Sequence, residues 1–188
     1  MFHSATSFNS DISNWNTGKV GDMSWMFYGA TSFNSDISNW NTGKVSDISV
    51  MFNGAISFNS DISNWNTGKV GDMSVMFTGT PFNQNISNWN TWKVSDMNNM
   101  FNQTSFNHDI SNWNTGKVSD MSGMFNGATS FNSNISNWNT GKVDNATGFG
   151  GANKSDSIGS SPLCIDGYDN VPSNLKGSFP KATICANY

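Results

Sequence analysis

Apolar positions along the chain fall in blocks that return every 24 or 25 residues. The string Ile-Ser-Asn-Trp-Asn-Thr begins at Ile12, Ile37, Ile62, Ile86, Ile110 and Ile135. Five of the copies continue as Gly-Lys-Val, and the fourth as Trp92-Lys93-Val94. A second apolar block follows at fixed offset: Val20, Met23, Met26-Phe27 and Ala30, then Val45, Ile48, Met51-Phe52 and Ala55, with further copies opening on Val70, Val94 and Val118. Each unit runs through a phenylalanine (Phe33, Phe58, Phe82, Phe106, Phe131) into the next Ile. Two units are one residue short, near Thr80-Pro81 and near Gln103-Thr104, which marks that stretch as a surface loop.

The second block places apolar residues at i, i+3, i+6/i+7 and i+10, the spacing of a helical face. Ser46, Ser95 and Ser119 each precede an Asp and suit a capped helix start. The glycines at 29, 54, 79 and 127 suit a helix stop. So short a helix holds only when packed. The Ile-Ser-Asn-Trp-Asn-Thr segment is assigned to a strand, because strand, turn and short helix in about 25 residues is the composition of a leucine-rich-repeat-like coil. The expected architecture over residues 1–149 is therefore a repeat solenoid, with short parallel strands on one face and short helices on the other. Strands about 4.8 Å apart give a rod roughly 30 Å long. A single unit cannot bury its Ile, Trp, Val, Met and Phe. Stacked units turn them into continuous columns stabilised by nearest neighbours, with methionine filling irregular gaps.

The running pattern Trp-Asn-Thr-x-Lys-Val-x-Asp-Met-Ser-x-Met-Phe-x-Gly-Ala-x-x-Phe-Asn-x-Asp-Ile-Ser resembles the bacterial surface-protein 26-residue repeat, the Mycoplasma lipoprotein repeat of unknown function, related to BspA-type leucine-rich-repeat proteins. The resemblance covers about residues 1–149. It implies a secreted or surface-anchored protein with adhesion or surface-layer roles, and it brings no catalytic residues with it.

Composition narrows the partners. Aromatic residues make up 13% of the chain, which argues against disorder. Every basic residue is Lys and every acidic one Asp, for a net charge of −4. Without Arg or a basic face, nucleic acid is not an expected partner. No apolar run approaches a membrane span, and Met1 to Ser10 lack the pattern of a signal peptide.

The two ends differ. Met1-Phe2, Ala5 and Phe8 match Met26-Phe27, Ala30 and Phe33, so the sequence opens inside a unit. A solenoid needs a polar cap, which predicts a longer chain or an end covered by another molecule. Residues 150–162 read as a Gly/Ser-rich linker. Residues 163–188 read as a C-terminal segment with a disulfide between Cys164 and Cys185. That segment is expected to cap its own chain or to dock on the next molecule, and docking would give head-to-tail growth.

Among the polar columns, Asn16, Asn41, Asn66, Asn90, Asn114 and Asn139 are expected to form a structural ladder serving backbone groups at a coil corner. Asp22, Asp47, Asp72, Asp96 and Asp120, with the Lys column from Lys19 to Lys142, read as solvated charge. A cation between Asp rungs would suit carboxylate chemistry, but no calcium-loop motif occurs, and no metal or cofactor is assigned. The Trp column (Trp15, Trp40, Trp65, Trp89, Trp113, Trp138) is expected in the core. Trp25 and Trp92 fall outside it and are candidate exposed contact residues. Asn85, Asn102, Asn134, Asn145 and Asn153 head Asn-x-Ser/Thr sequons, candidate glycosylation sites in a secreted protein. His3 and His108 are isolated, and no nucleophile–base constellation is suggested.

Because every polar column repeats without a unique place, the chain is expected not to be an enzyme. The reading is a non-enzymatic extracellular or cell-surface structural or adhesion protein, a subunit of a filament or surface layer assembling head-to-tail. A surface glycan or protein is the other partner class. Two alternatives accompany it: an ice-binding protein presenting Thr, Ser and Asn columns, with the Thr column running from Thr17 to Thr140, and a carbohydrate-binding repeat acting through Trp25 or Trp92.

Overall fold

The computed structural model describes residues 1–150. The expected linker beyond Gly150, the segment with Cys164 and Cys185, and the sequon at Asn153 lie outside the described residues.

Each unit folds as one rung made of successive tight turns. In the second rung, hydrogen bonds from residue i+3 back to residue i close turns at Ile37–Trp40, Thr42–Val45, Ile48–Met51, Val50–Asn53, Phe52–Ala55 and Ala55–Phe58. The N–H groups of Ile48, Val50, Phe52 and Gly54 instead donate forward, to the carbonyls of Asp72, Ser74, Met76 and Thr78 in the next rung. The one donor left between them, Ser49 N–H, goes to the Asp47 carboxylate at 2.8 Å. All donors from residue 48 to 55 are thereby satisfied, as a buried backbone demands.

The expected helices and strands are replaced by these turns. Among the described residues there is no helix, and the sheet-like pairing is reduced to single parallel bridges running Asp22–Asp47–Asp72–Asp96–Asp120–Asn145. The strand expected at Ile-Ser-Asn-Trp-Asn-Thr is likewise a turn. Two physical causes act together. An N–H given to the next rung cannot also close a helical bond, and two positions per rung sit in the left-handed region, such as Val50 (φ 60°) and Gly54 (φ 71°). Packing distance favours this outcome. Helices pack 8–10 Å apart, whereas Phe27 and Phe52 stack at 5.7 Å and Trp40 and Trp65 at 6.5 Å. A column of helices on one side would force the stack to fan open. Flat turns let both sides advance together.

The apolar residues form the predicted columns by this different route. Within each rung two phenylalanines lie face to face, as in Phe52–Phe58 at 3.7 Å, and each also stacks on its equivalent in the next rung. Ile, Val, Met and Phe of the inner positions are essentially without exposure from Ile37 to Ile135. The Trp column is buried from Trp40 to Trp138, and each indole N–H donates to an Ile carbonyl of the preceding rung, as Trp40 does to Ile12 at 3.1 Å.

The two short rungs close by substitution. Where a long rung uses the Ala55 carbonyl to accept Phe58 N–H, the short third rung has Thr80, whose hydroxyl donates to Phe77 O at 2.7 Å and accepts Phe82 N–H at 3.4 Å. Thr104 repeats the device in the fourth rung. A side-chain oxygen stands in for the missing peptide.

Candidate functional site

Stacking converts every sequence position into a file running along the molecule, so the role of a side chain depends on what its file faces. The file that ties rung to rung is Asn9, Asn34, Asn59, Asn83, Asn107 and Asn132. From Asn9 to Asn107 each side-chain oxygen accepts the backbone N–H of the next Asn at 2.8–3.0 Å. The Asn16 file also serves backbone groups at a corner, but within its own turn, with Asn16 Oδ1 accepting Gly18 N–H and Asn90 Oδ1 accepting Trp92 N–H. Both files are Asn in every unit. The one internal signal separating them is that the residue after the Asn9 file changes among Ser, Gln84 and His108 while the Asn does not.

The Asp22 file caps turns. Each carboxylate accepts the N–H two residues on, as in Asp72 with Ser74 at 2.8 Å. Half-buried Asp96 has an aspartate in the rung on either side. Burial, then repulsion from Asp72 and Asp120, overcomes its hydrogen bonds from Asn98 and raises its carboxyl above the ordinary value. Burial also pushes Asp120 upward, but hydrogen bonds from Ser122 and from Asn145, which ends the file with a neutral amide, outweigh it and hold that carboxyl low. A second acidic file at Asp11, Asp36 and Asp109 is exposed, and turn hydrogen bonds from Ser13, Ser38 and Ser111 lower each carboxyl. Among the described residues no group of three His, Cys, Asp or Glu is arranged to hold a metal ion.

The Thr file points inward. Thr17, Thr42, Thr67, Thr91, Thr115 and Thr140 are at most 7% exposed, and from Thr17 to Thr115 each hydroxyl donates to an Asn carbonyl of the next rung. These threonines therefore offer no outer surface to ice.

What does face outward is a strip formed by the Asn14, Asn16 and Lys19 files, all exposed through the six units. Trp92 interrupts it at the position that is glycine in the other five units. Its indole is 44% exposed, with Lys93 Nζ at 5.0 Å and Lys117 Nζ at 4.6 Å from the ring centroid. Trp25 is also exposed, on a different face, where it stacks with His3 and lies tilted against Tyr28. Asn85 and Asn134 are exposed sequon residues that cap their own turns. Asn145 is exposed with its amide on Asp120. Asn102 differs: it is half-buried, its amide donates to Asn99, and its side-chain oxygen is buried without a hydrogen-bond partner. A polar depression is lined by Asp109, Ser111, Ser133, Asn134 and Asn137, of which Asp109 and Asn134 cap turns and Ser133 donates its hydroxyl to the His108 carbonyl.

The family model described as Mycoplasma protein of unknown function, DUF285, matches residues 1–81 and again residues 60–159. No curated protein and no solved structure matches.

Proposed function

From the premise that this chain is a repeat protein belonging to the DUF285 family, we propose that it is a non-enzymatic solenoid serving as an extracellular structural or adhesive element. The supporting observation is the fate of its polar groups. The inward and half-buried files are spent on turn and rung-to-rung bonds, and the outward strip is one surface repeated along the stack. Catalysis needs one place unlike the rest, with a nucleophile or acid–base pair held together. A repeated outer strip instead suits a partner that is itself extended or arrayed, such as a cell-surface polymer.

The same reading includes head-to-tail self-association. Rungs offer backbone donors forward and acceptors backward in the block from Met23 to Gly29 and its copies. The two faces of any stretch of the stack are thus complementary to each other, the condition for a heterologous, non-closing contact. Negative-stain electron microscopy of the native, non-reduced protein tests this. Filaments whose axial repeat matches the rod length support assembly. Discrete rods at high concentration overturn it and leave adhesion by single molecules.

A further inference from the structure

We propose that Trp92, with Lys93, Lys117 and the neighbouring amides Asn90 and Asn114, is a binding site for an acidic polysaccharide, a chain of pyranose rings bearing carboxylate or sulfate groups. The inference rests on the adhesive reading above and names its partner.

Trp92 is a departure from the repeat that packing does not explain. At this position the other units carry glycine, and a side chain there stands close to amides on both sides; a Cβ at Gly68 lies 3.3 Å from Asn66 Oδ1 and 3.4 Å from Asn90 Nδ2. Trp92 gives up that open turn and leaves 44% of a large aromatic surface in water. The file tryptophans from Trp40 to Trp138 bury their rings and donate their indole N–H to the stack, and only Trp15, in the first rung with no rung before it, departs from the expected buried column at 42% exposed. Trp92 joins no aromatic ladder.

Its surroundings fit one ligand chemistry. The indole surface left in water takes the C–H face of a sugar ring as the ammonium groups lying over the ring turn to the sugar's anion, and amides donate to and accept from hydroxyls. Two ammonium groups from successive rungs, both within 5.0 Å of the ring centroid, supply charge for an anion on the same sugar. The Asn and Lys files continue along the strip with one of each per rung, so an extended polymer meets the same groups again on either side of Trp92. Single-stranded nucleic acid fits less well. It calls for a stacking platform per base, while Trp92 is the one aromatic that the strip of Asn14, Asn16 and Lys19 files carries among the described residues at the glycine position.

The test measures binding of the full chain to polygalacturonate, dextran sulfate, unmodified dextran and poly(dT), at low and at high salt. Trp92→Gly is the central variant, because it restores the residue of the other five units and preserves the turn. Binding to either acidic polymer that falls about tenfold or more in Trp92→Gly, the size of a stacking contact, supports the site. A flatter salt dependence in the Lys93→Ala/Lys117→Ala double variant and no change in Trp25→Ala support it further. Equal binding by wild type and Trp92→Gly overturns the site while leaving adhesion through other residues standing. Tighter binding to poly(dT), equal binding to unmodified dextran, or no binding to either acid also overturns it. In the last case the adhesive reading is judged on binding to whole cells.

Discussion

At the residue scale, side chains that look alike in the sequence have different jobs. Asn59 and Asn64 lie five residues apart in one unit, yet Asn59 Oδ1 accepts Asn83 N–H across the rungs while Asn64 is exposed on the outer strip. Asn59→Ala should therefore cost about 1–2 kcal/mol, and Asn64→Ala within about 0.5 kcal/mol of nothing, in urea denaturation. Asp96 gives a pH-dependent prediction. Its carboxyl is raised in the folded state, so the native protein holds that proton more tightly than the unfolded chain, and ionisation at neutral pH is destabilising. Asp96→Asn keeps an acceptor for Asn98 N–H, as Asn145 does for Thr147 in the same file. The variant should melt higher at pH 7, by about 2 °C for a half-exposed group, and the gain should vanish once pH falls to about 4. The opposite holds for Asp11, Asp36, Asp109 and Asp120. Their lowered carboxyls stabilise the fold above the ordinary value and lose that contribution as pH drops through their own, lower values.

At the element scale, turns succeed where helices were expected because the turn block and a helix place the same residues inward. Val45, Ile48, Met51, Phe52 and Ala55 are all buried. The apolar spacing was legible in the sequence, and with it the core columns and the buried Trp file. The bonding partner of each N–H was not, since a donor's choice between its own turn and the next rung leaves no trace in a pattern of apolar positions. The left-handed file hints at that choice after the fact. It reads Trp25, Val50, Val75, Asn99, Gly123 and Gly148, all with φ between 59° and 67° except Asn99 at 50°. Gly123 does local work: a Cβ there would run into the Asn99 side-chain oxygen. Gly123→Ala should therefore destabilise by about 2–3 kcal/mol, and Asn99→Gly should recover part of that loss in a double-variant cycle. In the short rungs, Thr80→Ala removes the acceptor for Phe82 N–H and should cost about 1–2 kcal/mol, while Thr80→Ser, which keeps the hydroxyl, should cost much less.

At the scale of the whole molecule, each rung meets only its neighbours, so stability is a sum of rung and interface contributions. Deleting residues 37–61 joins Asp36 to Ile62, the same junction that Asp61 makes, and leaves every file in register. That shortened protein should fold with a lower melting temperature and an unchanged type of circular dichroism spectrum. Deleting half a unit should abolish cooperative melting altogether, because one rung would then set its polar files against its neighbour's core. The direction of the rung-to-rung bonds also decides how the protein answers tension. The forward bonds of Ile48, Val50, Phe52 and Gly54 connect one rung to the next, so a pull along the stack loads them end-on and opens one interface at a time. Each rung that lets go should release on the order of 80 Å of extended chain. Under the adhesive role proposed above, such a tether would yield in small steps at low force, a ratcheting brake rather than a stiff strut.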